Sequence, residues 1–160
     1  MWPSAKFIDG RVAFSRMPAE RELDEVARDF DAVVVLVEDY ELPYSLDEWE
    51  KRGVEVLHGP IPDFTAPSVE QLLEILRWIE ERVREGKKVL IHCMAGLGRS
   101  GTVGVAWLMY SRGLSLREAL MEVRRKRPGA VETQEQMEVL KELEERIKLA
   151  AALEHHHHHH

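Results

Sequence analysis

The most informative stretch of the sequence is residues 89–102, which read VLIHCMAGLGRSGT. Its first three residues are apolar, as expected of a strand that is buried on both faces of a sheet. The glycines between Cys93 and Arg99 predict a short loop, and the apolar run 101–110 predicts a buried helix after it. The stretch therefore predicts a strand–loop–helix unit in which Cys93 ends the strand and Arg99 lies at the start of the helix.

The predicted loop has the chemistry of an anion-binding site. Successive backbone N–H groups in a tight loop can enclose one anion, and the positive end of the helix dipole adds to the attraction. Arg99 contributes a planar guanidinium that can donate to two oxygens of a phosphate at once. Phosphate is therefore the expected ligand, and the residues predicted to bind it are Met94, Ala95, Gly96, Leu97, Gly98 and Arg99.

Cys93 is the only cysteine of the chain, which excludes an internal disulfide and a multi-cysteine zinc site. A free thiol has a pKa near ~8.5, and a helix N-terminus with a nearby cation favours the thiolate. We therefore expect an ionised Cys93 to attack the phosphorus of a bound ester, giving a cysteinyl-phosphate that water then hydrolyses. Ser100 can donate a hydrogen bond to the sulfur and help it leave. The alternative is that Cys93 is a small buried residue and that the glycines only turn the chain.

Strand-like and helix-like patterns alternate up to residue 110, and helical patterns alone follow. The predicted strands are a hairpin over 7–14 and segments 32–37, 54–57 and 88–92. The predicted helices cover 19–30, a short segment after Ser45, 68–86, 101–110, a segment from Ser115 to before Pro128, and one from Thr133 to about Ala150. This order predicts an α/β fold with a small, mainly parallel sheet and helices on both sides. Residues 1–150 contain no linker or repeat and are expected to form a single domain.

Composition and charge argue against nucleic-acid binding and against a membrane span. The 160 residues are 44% hydrophobic and 32% charged, with a formal net charge of −7. An acidic chain binds nucleic acid poorly, so the basic run 124–127 is interpreted as a solvated helix end rather than as a site for RNA or an acidic phosphopeptide. No apolar stretch approaches the ~20 residues of a membrane span, and no signal peptide is visible, so a cytoplasmic location is expected. Residues 153–160 end in histidines and are interpreted as a purification tag.

The segment from His92 to Ser100 resembles a known signature. His92-Cys93-x-x-Gly96-x-x-Arg99-Ser100 matches the pattern HCxxGxxR[ST] of the cysteine-based protein tyrosine phosphatases. From Met1 to about Ile147 the chain resembles the small dual-specificity phosphatases of hyperthermophilic archaea (Thermococcus type), and its many Glu, Lys and Arg residues fit a thermostable protein. The resemblance implies a four- or five-stranded sheet in a three-layer sandwich. It also implies removal of phosphate from tyrosine or from serine and threonine, without a metal or cofactor.

The resemblance also implies a general acid. It points to Asp63, in the Pro-rich segment 59–64, although an Asp in a loop is often only a turn or cap residue. Glu132 is the alternative acid; it could instead orient Arg99 or stabilise a helix start. In the family the segment that corresponds to residues 129–136, which contains Glu132, lies beside the phosphate loop. This position implies that Gln134 or Gln136 positions the attacking water.

Two neighbouring positions tune the predicted loop. His92 is expected to stay neutral and to hydrogen-bond within the loop, or else to be a structural histidine. Ala95 restricts the loop because its Cβ favours φ below zero, and a Gly at this position would permit a peptide flip. The sequence leaves open whether Ala95 is a natural or an introduced residue.

The variable loop positions are all neutral, which favours esters with a single phosphate over inositol polyphosphates. The expected partners are phosphoproteins or phosphopeptides, acted on by a monomer. Two rival functions remain open at this point. One is a module that binds phosphate without turning it over, which the retained Cys93 opposes, and the other is an RNA 5′-phosphatase built on the same loop.

Overall fold

The computed structural model describes residues 1–158, so the last two residues of the predicted tag lie outside the described residues. Five strands form one sheet: β1 (Lys6–Phe7), β2 (Val12–Ser15), β3 (Ala32–Val35), β4 (Glu55–His58) and β5 (Val89–His92). The sheet order is β1-β2-β5-β3-β4; only the β1–β2 pair is antiparallel. The helices are α1 (Leu23–Asp29), α2 (Asp47–Glu50), α3 (Val69–Arg84), α4 (Gly98–Arg112), α5 (Leu116–Lys126) and α6 (Gln134–His158). The predicted α/β sandwich with a small, mainly parallel sheet is confirmed.

The centre of the molecule is the sheet and helix α4. Every residue of β2, β3 and β5 is buried. The apolar runs of β3 and of residues 89–91 in β5 are typical of strands covered on both faces. Helix α4 is buried from Gly98 to Met109 and contacts β2, β5, α3, α5 and α6. A helix that is apolar on all sides has to be enclosed in this way, and its N-terminus is thereby held at one edge of the sheet.

Several element boundaries differ from the predicted ones. The helix predicted over 19–30 begins as a single 3₁₀ turn, Glu20–Glu22, before α1. The short helix predicted after Ser45 is α2, which spans only four residues, and the Ser45 hydroxyl accepts from the Asp47 N–H at 3.2 Å. The prediction that α6 ends near Ala150 is wrong. The Ala-, Leu- and Glu-rich sequence after that residue favours helix and contains no breaker, so the helix continues to His158.

The four parallel strands end at the same edge of the sheet. Ser15 and Val35 are both register partners of His92, and Val35 also pairs with His58. Four loops therefore leave this edge together: the segment after β2, the turn Asp39–Glu41, the segment 59–65 and the loop that follows Cys93. Ligands of open α/β sheets bind at such an edge, where the strand order reverses between neighbouring connections.

Among residues 1–158, none of the helices combines the length and apolar character that crossing a lipid bilayer requires.

Candidate active site

Cys93 lies at the bottom of a tight loop between β5 and α4. It is 2% exposed, and the N–H of Gly96 donates to its Sγ at 3.3 Å. Gly96 has a φ of +77°, and a Cβ there would lie 2.6 Å from the backbone nitrogen of Arg16. Only glycine tolerates both conditions, so this residue sets how closely the loop can fold over the sulfur.

Ser100 connects the sulfur to the neighbouring strand. Its Oγ lies 3.2 Å from the Sγ of Cys93 and 3.4 Å from the carbonyl oxygen of Ser15. In the thiol form the sulfur donates to the hydroxyl, which in turn donates to the Ser15 carbonyl. When the thiol ionises, the same hydroxyl can turn its proton to the sulfur, so that the thiolate gains a second donor beside the Gly96 N–H.

Arg99 is 2% exposed, and its charge is matched by the carboxylate of Glu41. Nη1 and Nη2 donate to the two carboxylate oxygens of Glu41 at 2.8 and 2.9 Å, and Nη1 also donates to the carbonyl of Ile61 at 2.9 Å. Nothing in the sequence spacing links Glu41 to Arg99, because they are 58 positions apart. The prediction that Glu132 could orient Arg99 is not what the structure shows; Glu41 occupies that position.

The ion pair shifts the pKa values of Arg99 and Glu41 so that the charged form of each is favoured. Burial alone would lower the pKa of Arg99, but the hydrogen bond to Glu41 and the nearby charges of Asp63 and Cys93 outweigh it and raise this pKa. The hydrogen bonds from Arg99 hold the pKa of Glu41 below its usual value against the opposing effect of burial. The guanidinium therefore stays charged. Its buried Nε has no hydrogen-bond partner and is free to donate to an oxyanion in the loop.

Asp63 is brought to the same place by the segment after β4. Its Oδ1 lies 3.5 Å from Nε of Arg99 and accepts a hydrogen bond from the Phe64 N–H at 2.9 Å. The Asp63 side chain is 42% exposed, so it lies at the open side of the loop where a substrate would enter. The adjacent Phe64 has a φ of +63°, an uncommon conformation for a bulky residue, which holds this segment in one tight shape.

The segment 129–136, which leads into α6, also contacts the phosphate loop. The carboxylate of Glu132 lies against Gly98 on the exposed side. Gln136 is 1% exposed; its Oε1 accepts from the Glu132 and Thr133 N–H groups at 2.8 and 3.1 Å. Its Nε2 donates to the carbonyl of Thr65 at 3.2 Å, which ties this segment to the one that carries Asp63.

The two glutamines predicted to position water lie in different environments. Gln136 is buried at the site, whereas Gln134 is exposed and its amide donates to Glu138 at 3.3 Å along the helix surface. Of the two, the structure brings Gln136 to the loop.

His92 supports the loop from below. It is fully buried, and its Nδ1 lies 3.3 Å from the carbonyl oxygen of Cys93. Burial lowers the pKa of His92 to about 4, against a smaller opposite effect of the hydrogen bond to Cys93. The imidazole is therefore neutral at physiological pH, as an uncharged residue under a cationic loop should be.

Large apolar side chains surround the opening. Tyr40, Phe64 and Met94 are 79%, 63% and 40% exposed. Each belongs to one of the loops that form the site: the turn that carries Glu41, the segment that carries Asp63, and the phosphate loop itself. Exposed apolar side chains around a polar cup can contact the organic part of a phosphate ester.

Most of the chain matches one known protein family. Residues 15–146 match the family described as "Dual specificity phosphatase, catalytic domain". The chain belongs to this family of cysteine-based protein tyrosine and dual-specificity phosphatases, which confirms the resemblance inferred from the signature. Members of the family act on phosphorylated substrates.

Two named relatives are similar in sequence to most of this chain. It is 39% identical over 116 residues to "Cyclin-dependent kinase inhibitor 3" of Sus scrofa, covering 71% of this chain and 54% of that protein. It is 31% identical over 147 residues to "Phosphatidylglycerophosphatase and protein-tyrosine phosphatase 1" of Mus musculus, covering 89% and 75%. The chain thus spans about half the length of the cyclin-dependent kinase inhibitor 3 relatives that it matches.

Among solved structures, "Tk-PTP in the active form" is 99% identical, with a TM-score of 0.91 over 91% of this chain and 99% of that one. This match confirms the predicted archaeal type. The structure of "PTPMT1 in complex with PI(5)P" is 27% identical, with a TM-score of 0.86 over 92% and 99% of the two chains.

The buried ion pair generates a first prediction. Glu41→Ala removes one partner and leaves the Arg99 charge buried, so we expect the free energy of unfolding to fall by about 3 kcal/mol. Guanidinium chloride unfolding measures this loss. Asp39→Ala removes an exposed carboxylate from the same turn and serves as the control. Equal stability of the two variants would contradict the assigned role of Glu41.

The pKa of His92 generates a second prediction. Between pH 6.5 and about 4 the unfolded chain binds a proton at His92 that the folded protein excludes, so stability is present at neutral pH and is lost as pH falls. We expect a loss of about 3 kcal/mol over this range that is absent in His92→Asn. Chemical unfolding of both proteins at several pH values tests this; parallel pH profiles would refute it.

Proposed function

We propose that this chain is a protein phosphatase that hydrolyses phosphotyrosine and also phosphoserine and phosphothreonine monoesters through a cysteinyl-phosphate. The observation that carries the proposal is the placement of one sulfur and one guanidinium. The Sγ of Cys93 accepts from a loop amide, while Arg99, at the start of the helix that follows the loop, is buried and charged and keeps an Nε that has no hydrogen-bond partner. A thiolate nucleophile and a phosphate-binding cation are thus held together, which supplies most of what phosphoryl transfer needs.

The first chemical step is an in-line attack. The Sγ of Cys93 forms a bond to phosphorus, and the bond from phosphorus to the tyrosine or serine oxygen breaks. Loop amides from Met94 to Gly98 and the guanidinium of Arg99 hold the three remaining phosphate oxygens and their developing charge. In the second step a water oxygen attacks the phosphorus, the sulfur leaves as thiolate, and the hydroxyl of Ser100 donates to it.

The leaving oxygen needs a proton in the first step, and the attacking water must lose one in the second. We assign both transfers to Asp63, whose carboxyl lies at the open side of the loop 3.5 Å from Nε of Arg99. Glu132, against Gly98, is the alternative acid. We assign the positioning of the attacking water to Gln136, and its burial between these two segments supports the assignment.

Protein phosphate esters fit the surroundings better than polyphosphorylated lipids. The variable loop residues Met94, Ala95 and Leu97 carry no charge that would meet additional phosphates. The apolar rim formed by Tyr40, Phe64 and Met94 suits the ring of phosphotyrosine and the backbone of a phosphopeptide. The phosphoinositide bound in the PTPMT1 structure makes such a lipid the natural competing substrate in a test of this choice.

Replacing the nucleophile gives the first test. Cys93→Ser should lower the rate of para-nitrophenyl phosphate hydrolysis by about 10³-fold or more, while phosphopeptide binding is retained. Steady-state kinetics and calorimetric titration with the same phosphotyrosine peptide measure the two effects. A variant that keeps its activity would refute the proposed mechanism.

The choice of acid is tested by the leaving group. Asp63→Asn should lower kcat/KM, which reports the first chemical step, by about 10²-fold or more for a phosphoserine peptide. It should lower kcat/KM for para-nitrophenyl phosphate far less, because its leaving group needs little protonation. Glu132→Gln is the matched variant, with a carboxylate removed from the other segment. If the asymmetric loss occurs in Glu132→Gln instead, the acid is Glu132. A phosphoinositide hydrolysed faster than either peptide would overturn the substrate assignment.

A further inference from the structure

Arg127 is the one part of the basic run 124–127 whose side chain contacts the phosphate loop in the described residues. Its Nη2 donates to the carbonyl oxygen of Ala95 at 3.0 Å. Its own backbone is fixed at the end of α5: the N–H donates to Val123 O at 2.9 Å, and the carbonyl accepts from Ala130 N–H at 3.1 Å. The Arg127 side chain therefore extends from a fixed backbone position to the phosphate loop. The sequence predicts instead that this basic helix end is solvated.

The peptide that Arg127 contacts is the one that faces the nucleophile. The carbonyl of Ala95 and the N–H of Gly96 belong to the same trans peptide unit, so they point in opposite directions. The carbonyl accepts from Arg127, and the N–H donates to the Sγ of Cys93 at 3.3 Å. Arg127, the peptide and the sulfur therefore form a chain of hydrogen bonds, and a cationic donor at one end strengthens the donation at the other.

Neighbouring loop carbonyls are held differently. Met94 O accepts from the backbone N–H of Met17 at 3.0 Å, and Leu97 O accepts from the N–H groups of Gly101 and Val131. The Ala95 carbonyl is held by a side chain, Arg127, instead of by a backbone N–H. Packing does not replace that bond, because a cavity of about 70 Å³ lies on this side of the loop, lined in part by Gly96 and Arg127.

We propose that Arg127 is a positioning residue that acts through the 95–96 peptide: it holds the Gly96 N–H on the Cys93 sulfur and thereby favours the thiolate and the anion-binding shape of the loop. The inference rests on the proposed role of Cys93 as nucleophile. It gives the basic run at the end of α5 a specific function in the chemistry of the loop.

Other charged groups near the sulfur and the 95–96 peptide stay unchanged in the test. Lys6 of β1 and Arg16, directly after β2, line the cavity beside Gly96. Arg99 from α4 is the nearby cation, with Glu41 and Asp63 as its counterions. His92 below is neutral above about pH 4, and Glu132 lies against Gly98 on the outer side.

The test is the pH dependence of Cys93 alkylation by iodoacetamide in the full chain. Arg127→Met keeps the length of the side chain and removes its donors, so alkylation near neutral pH should slow about tenfold and its midpoint should move up by about one pH unit. The inhibition constant of inorganic phosphate against para-nitrophenyl phosphate should rise by about tenfold as well. Arg125→Ala is the control, since it removes an equal charge two positions away that pairs with Glu122 and not with the loop.

Salt separates the hydrogen-bond chain from simple attraction by a nearby charge. At about 1 M NaCl the screening length is roughly 3 Å, so a through-space effect of Arg127 is largely removed while a bonded peptide stays in place. We expect the difference between wild type and Arg127→Met to persist there, and Arg127→Lys to restore only part of it. A difference that vanishes in high salt, or that Arg125→Ala reproduces, would overturn the proposal.

The alkylation rate and the activity of Cys93→Ser together distinguish failure of this proposal from failure of the proposed mechanism. Loosening of the fold would expose Cys93 and speed alkylation, which is opposite to the expected slowing. If Arg127→Met leaves alkylation unchanged while Cys93→Ser is inactive, the positioning role alone fails. If Cys93→Ser remains active, the proposed mechanism fails, whatever the alkylation shows.

Discussion

The buried charge of Arg99 is the constraint on which the arrangement of the site depends. A guanidinium in the interior is tolerated only when its donors are matched, and here the matches come from Glu41 and from the carbonyl of Ile61. Because these partners belong to two different loops, the charge draws both loops onto the phosphate loop. Asp63 follows directly in the chain from the second of them and is thereby placed beside the same side chain. One buried cation thus organises the loops around Cys93 and the position of Asp63, the proposed general acid.

The sheet makes this convergence possible. In a parallel sheet all strands end at the same edge, so loops that are far apart in sequence leave the sheet side by side. Helix α4 fills the centre and directs its N-terminus at that edge, which concentrates amide donors and the positive end of the dipole at one point. The loop at this point is held by the close contact of Gly96 with the backbone of Arg16, by main-chain hydrogen bonds to Met94 and Leu97, and by the side chain of Arg127 on Ala95 O.

Much of this could be predicted from sequence because the signals are local. Hydrophobic periodicity depends on neighbours within one or two turns, and it located the five strands, the buried central helix and the strand–loop–helix unit around Cys93. Boundaries were less well predicted. The high helix propensity of the residues after Ala150 extends α6 to His158, and the segment predicted as a helix from residue 19 begins as a 3₁₀ turn before α1. Asp63 and Glu132 were named through the resemblance to a family, since an isolated carboxylate in a loop carries no signal of its own.

The sequence by itself determined the chemistry of the loop: a thiol at the end of a buried strand, successive amides and an arginine at a helix start, all within ten residues of one another. Only the tertiary structure decided which groups act on that loop from outside. Glu41 holds Arg99, Gln136 rather than Gln134 reaches the site, and Arg127 lies on the Ala95 carbonyl. The reason is physical: these contacts join segments 32 to 71 residues apart, and what brings such segments together is the packing of the sheet and the need to match buried charge and hydrogen bonds, neither of which leaves a pattern in the local sequence.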